Sequence, residues 1–232
     1  MKRTLLIAIL FSIGFSYGQQ FKFGTKVGGN FATIPIIFSG TDLTLISVPD
    51  NKMFIGFHAG GFIEMGISER ITFQSEVLFS YEGSKYESNA SGSNFGFDYT
   101  ENSESTIKTS YIHFPFLLKY YPTYTLYLSA GPKVGVLVMA KQDSNYTYTS
   151  NGNTEIESIK GEDVKNQLNG LNIAASFGAG YFFTDTVFAE IRYDFGLSNV
   201  YKDIQQEYNG MQYTFKPKSK IDNLQISLGY RF

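Results

Sequence analysis

Acid–base or nucleophilic catalysis in this 232-residue chain would have to run through two imidazoles, His58 and His113, because no other histidine is present. Serines and acidic residues are plentiful, yet no motif ties a nucleophile to either ring. His113 lies between Ile112 and Phe114, two residues before Pro115, in an alternating run that reads as a strand. A second cluster, Glu190, Arg192 and Asp194, sets charges at every other position. Two carboxylates so spaced can hold a cation, but the arginine between them fits a salt-bridge ladder better. Cysteine is absent, which excludes thiolate catalysis, disulfides, Cys-based metal sites and a lipidated N-terminal cysteine. These features point to a protein with no catalytic residues, no cofactor and no metal, hence to a chain that is not an enzyme.

The elements that would position these residues have period two. In Phe188–Leu197, residues Ala189, Ile191, Tyr193, Phe195 and Leu197 alternate with Glu190, Arg192, Asp194 and Gly196. The same rhythm predicts eight strands, at roughly 21–33, 52–66, 69–83, 106–121, 124–141, 170–183, 186–199 and 221–232. Three connections are tight, at Gly66–Glu69, Tyr121–Tyr124 and Thr184–Asp185. Four are long and polar, at 34–51, 84–105, 142–169 and 200–220, and short and long alternate strictly. That asymmetry fits a transmembrane barrel, with short periplasmic turns and long extracellular loops. Closure lets a sheet stand in lipid, where every backbone polar group must find a partner.

The expected fold is therefore all-β, an eight-stranded antiparallel transmembrane barrel. Ten strands are possible if a loop hairpin joins the wall, since Asn209-Gly210 and Asn151-Gly152 both carry a hairpin signal. The Ser/Asn/Gly-rich run 88–94 reads as a loop tip, and Pro115 and Pro132 predict local bulges or bends within their strands. Aromatics beside the short turns (Tyr120, Tyr121, Tyr124, Tyr181 and Phe183) suit a girdle at the lipid interface.

Alternation then places Lys22, Lys26, His58, Glu64, Glu76, His113, Lys119, Lys133, Glu190, Arg192, Asp194 and Arg231 inside. An eight-stranded barrel is just wide enough for its own side chains to fill. The favoured reading is a paired charge network that fixes register and closes the lumen. The functional alternative is a narrow ion path or a proton-sensitive plug involving His58 and His113. The net charge of −2 gives no reason to expect nucleic acid. Loops 84–105 and 142–169 are acidic, whereas 200–220 carries Lys202, Lys216, Lys218 and Lys220, which could meet lipopolysaccharide phosphates or a protein partner.

The amino terminus adds an address. Met1-Lys2-Arg3 precedes the apolar run Leu5 to Ile13, and Ser16 and Gly18 stand where a cleavage site before Gln19 needs small residues. Residues 1–18 are expected to be a cleaved signal peptide and 19–232 the barrel domain.

Several segments bear a family likeness. KVGGNF (26–31), FHAGGFIEMGISERITFQSEVLFSYEGSK (57–85), YIHFPFLLKYYP (111–122), LSAGPKVGVLV (128–138), GAGYFFTDTVFAEIRYDFGLSNV (178–200) and LQISLGYRF (224–232) resemble the PorT-like outer-membrane β-barrel family of Bacteroidetes. The resemblance spans nearly all of the chain after the leader and misses the long loops. It implies an outer-membrane location and the barrel fold. The member after which the family is named takes part in protein export through the type IX secretion system, a role that no single residue here carries over. Leu228, Tyr230 and Phe232 resemble the C-terminal strand signal read by the barrel assembly machinery. The implied partners are outer-membrane lipids and lipopolysaccharide, the assembly machinery during biogenesis, and secretion-system proteins. The function expected is non-enzymatic surface interaction or an accessory role in protein secretion. A narrow ion or small-solute channel is the alternative, and an outer-membrane enzyme a third.

Overall fold

The computed structural model describes residues 21–37, 50–94, 97–208, 211–215 and 217–232. The leader 1–18, with its cleavage pair Gly18 and Gln19, lies outside the described residues, as do Lys216 and the Asn209-Gly210 pair. The strands are β1 (Phe21–Thr33), β2 (Ile36–Ile37), β3 (Asp50–Gly66), β4 (Ile71–Asn94), β5 (Phe97–Tyr120), β6 (Leu126–Ser150), β7 (Asn153–Asp163), β8 (Leu171–Phe182), β9 (Val187–Gly196), β10 (Ile204–Tyr208), β11 (Met211–Phe215), β12 (Lys218–Ser219) and β13 (Asp222–Arg231). No helix among the described residues is long and apolar enough to cross a membrane.

Eight of these strands close on themselves. Each wall strand is antiparallel to its neighbours in the order β1, β3, β4, β5, β6, β8, β9 and β13, and β13 returns to β1. The closing seam runs unbroken from Gly24 opposite Arg231 to Thr33 opposite Asp222. A closed ring leaves no edge for another sheet to join, and it gives every wall strand a hydrogen-bonded neighbour on both sides. Neither β7 nor the separate β10–β11 hairpin enters the ring, so the wall has eight strands rather than ten.

The ring obeys the alternation in the sequence, with its polar face inward. Val27, Ile63, Val77, Leu128, Ile191, Ile226 and Leu228 are among the large apolar residues exposed on the outside. A continuous apolar band of this kind marks a surface meant for lipid. At the short-turn end Tyr120, Tyr124, Tyr181 and Phe183 are exposed. Tyr121 departs from the expected girdle: it is half-buried and packs its ring on Tyr127, with centroids 5.6 Å apart.

Two expectations need correction. The run 88–94 is no loop tip, because β4 pairs with β5 from Ile71 opposite Tyr120 to Asn94 opposite Phe97. The hairpin signal at Asn151-Gly152 is borne out, since most of 142–169 is a hairpin of β6 with β7, turning through Asn151 (φ 52°) and Gly152 (φ 79°). Positive φ at both central positions matches a two-residue hairpin turn, and Asn-Gly is the pair that tolerates it. Strands β4 to β7 thus stand as a blade about ten residues, or ~34 Å, beyond the wall at about 3.4 Å per residue. The prolines, finally, produce no bulge. Ladder pairs are missing around Pro115, but the β4–β5 and β5–β6 registers are unchanged across it. A proline withholds one N–H without requiring an extra residue. Register shifts fall instead between Ser110 and Tyr111, between Met53 and Phe57 and, in the β6–β7 hairpin, between Gln142 and Ser144.

Candidate functional site

The inward face of the wall assembles an ion network in the middle of the lumen. Glu76 of β4 is its hub. Arg192 of β9 grips it with two parallel hydrogen bonds, Nη1 to Oε2 at 2.9 Å and Nη2 to Oε1 at 2.6 Å. Lys26 of β1 reaches both Glu76, at 2.9 Å, and Glu190, at 3.0 Å. Arg192 also lies 2.7 Å from Glu190, and Gln74 donates to Glu76 as well. The forked guanidinium suits such a paired contact with a carboxylate. These side chains are sealed from solvent, and the chain spans 164 residues between Lys26 and Glu190. The network therefore pins strands from opposite ends of the sequence to one register.

Below it, toward the short turns, the lumen is closed by aromatic rings. Phe62, Tyr127, Phe182 and Phe188 form one buried cluster. Lys119 sits over the Tyr127 ring, 4.0 Å from its centroid, and donates to Glu64 Oε1 at 2.7 Å. Tyr127 donates to Glu190 Oε2 at 2.8 Å, which joins this layer to the hub. Arg231 is half-buried, lies over Phe182 at 4.1 Å and stands 3.5 Å from Glu64. Lys22, in register with Glu64, is exposed at the rim.

Above the hub, Lys133 donates to Asp194 at 2.7 Å, and Ser176 to the other oxygen of the same carboxylate at 2.5 Å. His113 Nε2 lies 2.5 Å from Glu82, which Asn223 also approaches at 3.4 Å. Over this layer the loops fold inward. Ile34, Val164, Leu168, Val200 and Ile221 join Tyr111, Leu137 and Ala140 of the wall in a buried apolar cap. Tyr86 fastens the cap by donating to Ile34 O at 2.6 Å.

His58 makes its hydrogen bonds to uncharged partners. Its Nδ1 is 2.8 Å from Asn30 Oδ1 and its Nε2 is 2.8 Å from Ser227 Oγ. Asn30 Nδ2 faces the carbonyls of Phe57 (2.9 Å) and Tyr81 (3.1 Å), so Oδ1 is the acceptor turned to the ring. Nδ1 must then donate, leaving Nε2 to accept from Ser227. Serine, histidine and asparagine in this order reproduce the contacts of a nucleophile, its base and the base's orienter. Nothing can reach that serine, however: Asn30, His58 and Ser227 are each at most 1% exposed. We expect a fluorophosphonate probe to leave Ser227 unlabelled in the folded protein, as intact-mass analysis would show. Stoichiometric labelling would mean that the lumen opens to substrate.

Three features of this interior escaped the sequence reading. Glu82 is fully buried, and its parity with Gln74 and Glu76 signals it, but it falls at the edge of the predicted strand. Asn30 and Ser227 carry no charge to single them out. Of the outward residues at the closing strand, Leu228, Tyr230 and Phe232 are exposed, and Tyr230 packs on Phe232 at 5.2 Å. Lys202, Lys218 and Lys220 are exposed at the long-connection end, and no group of three or more His, Cys, Asp or Glu that could hold a metal occurs among the described residues.

The Yersinia pestis attachment invasion locus protein Ail is similar at 11% identity and TM-score 0.35, over 91% of this chain and 98% of that one. The outer membrane protein OprG from Pseudomonas aeruginosa gives 12% and 0.35, over 90% and 95%. The Escherichia coli outer membrane protease OmpT gives 10% and 0.33, over 94% and 100%. No match was found among curated proteins. Residues 12–202 match the model of the outer membrane protein beta-barrel domain. The chain belongs to that family, and its eight-stranded ring is the wall of an outer-membrane β-barrel protein.

Proposed function

We propose that this is a non-enzymatic surface-interaction protein, accessory to protein secretion as the PorT-like resemblance implies. The observation that carries the reading is the contrast between its two halves. The lumen is filled with paired charges and closed by rings at one end and by the loop cap at the other. The blade, by contrast, carries β4–β7 far past the wall and exposes every residue of β7. Backbone order so far from the membrane gives a partner a rigid surface to meet. The channel alternative needs a continuous water path, against which the sealed ions count. The enzyme alternative needs access to His58 or His113, both buried.

On this reading the short turns face the periplasm, the blade and the exposed lysines face outward, and the lysines lie near lipopolysaccharide phosphates. The leader 1–18 delivers the chain to the barrel assembly machinery, which reads Leu228, Tyr230 and Phe232. The test compares secreted and surface proteomes of a parent strain, a deletion strain and a strain whose barrel has 88–103 and 144–159 replaced by short turns. Selective loss of surface cargo in both altered strains is the expected result. An unchanged cargo profile in the deletion strain would overturn the secretion role, and a fully active bladeless barrel would overturn the part given to the blade.

A further inference from the structure

Every wall strand has two neighbours, but β7 has one. Among the described residues it pairs only with β6, from Ser150 opposite Asn153 to Lys141 opposite Asp163, and no strand lies along its outer edge. All eleven of its residues are exposed. An edge this long carries unpaired N–H and C=O groups and is a template for another strand.

The side chains select what that strand can be. Glu155, Glu157, Glu162 and Asp163 set four carboxylates on β7 against the single Lys160. One face is acidic and aromatic, because Glu155 pairs across to Tyr148 and Glu157 to Tyr146, with Tyr99 stacked on Tyr148 at 6.2 Å. The opposite face offers Ile156, 74% exposed, between Thr154 and Ser158, with Lys160 beyond, while Ile159 lies on the acidic face. A strand laid on this edge would set alternate side chains beside the carboxylates and tyrosine rings, where ammonium or guanidinium groups gain both charge pairing and cation–π contact. Its intervening side chains would lie beside Ile156, where apolar groups fit. A second copy of β7 would bring carboxylates against carboxylates, and like charges across strands are unfavourable.

We propose that the outer edge of β7 binds an extended polypeptide segment of alternating basic and apolar residues, which adds to the blade as a fifth strand. The proposal deepens the surface-interaction reading and names the partner's chemistry. Edge carboxylates repel acidic strands, a second copy of β7 included, while admitting a cationic one, so the same residues exclude and select.

The test uses the full-length barrel refolded in detergent and a synthetic twelve-residue peptide alternating Lys with Val and Thr, carrying a fluorophore. Three measurements distinguish ladder formation from charge attraction alone. N-methylation of alternate peptide amides leaves the charge intact and removes donors, and should weaken binding at least tenfold. The variant Glu155→Lys with Glu157→Lys should also weaken it at least tenfold, while heat-modifiable migration shows the barrel still folded. Raising salt from about 0.05 to 0.5 M should weaken it several-fold. Equal binding of the methylated peptide overturns the added strand, and absence of binding overturns the proposal. Self-association of the barrel that the double variant abolishes would replace the peptide with a second copy. Each of these failures leaves the secretion phenotype of the bladeless strain standing, and that phenotype's absence would be registered independently of the peptide.

Discussion

Replacing Glu76 by Met is expected to destabilise the barrel by about 3–5 kcal/mol, the range for removing one partner of a buried ion pair. Glu76 accepts from both Arg192 nitrogens and from Lys26, and all three side chains are sealed. Without it, two buried cations share Glu190, and desolvation of the surplus charge is no longer offset. Arg192→Met in the same background should restore much of the loss, because Lys26 then keeps Glu190 to itself at 3.0 Å. An apolar pair of similar volume often matches a buried salt bridge in stability. Urea unfolding in lipid vesicles, followed by tyrosine fluorescence, measures all three proteins. A single variant within about 1 kcal/mol of the parent would mean that the ions are solvated in place, as only exposed pairs are that cheap to lose. That outcome would also revive the ion-path reading, since water beside Arg192 is what conduction requires.

The contrast between what the sequence disclosed and what it hid has a physical origin. Alternation identified the wall because lipid outside and a polar lumen inside impose opposite demands on successive residues. It assigned Glu190, Arg192 and Asp194 to one face, since side-chain direction in a strand depends on parity alone. Contact partners depend instead on register, which no single strand encodes. Arg192 meeting Glu76 across 116 residues was therefore invisible. The β4–β5 half of the blade was hidden for another reason, whereas Asn151-Gly152 signalled the β6–β7 half. Above the membrane neither face is apolar, so Ser88–Asn94 and Thr100–Ser105 lack the contrast on which parity reading depends, and Ser, Asn and Gly there look like loop. Glu82 fell at the boundary between these regimes. The cap was missed because Ile34, Val164, Val200 and Ile221 are isolated apolar residues in polar connections, and only the closed ring brings them together.

Gly180→Val should cost about 3 kcal/mol or more, the upper end of the range for overpacking a filled interior. A Cβ at Gly180 would lie 2.1 Å from Tyr127 Cζ and 2.3 Å from its hydroxyl oxygen. Tyr127 has nowhere to go. Its ring meets Phe182 at 5.8 Å and Phe188 at 6.2 Å, Lys119 lies over it at 4.0 Å, and its hydroxyl is bound to Glu190. The ladder between β6 and β8 sets Tyr127 directly opposite Gly180, so the clash cannot be relieved by slipping one strand without turning every side chain to the wrong face. Removing the ring should remove the clash. Tyr127→Ala alone opens a cavity at the turn end, whereas adding Gly180→Val to it should cost far less than in the parent. The coupling expected from the double-mutant cycle is about 1–3 kcal/mol of mutual relief, as for residues in direct contact. The same unfolding measurement reads it, with heat-modifiable migration as the check on closure. Additive losses would show that Tyr127 can leave its place, and the aromatic layer would then be a movable gate rather than a fixed floor to the lumen.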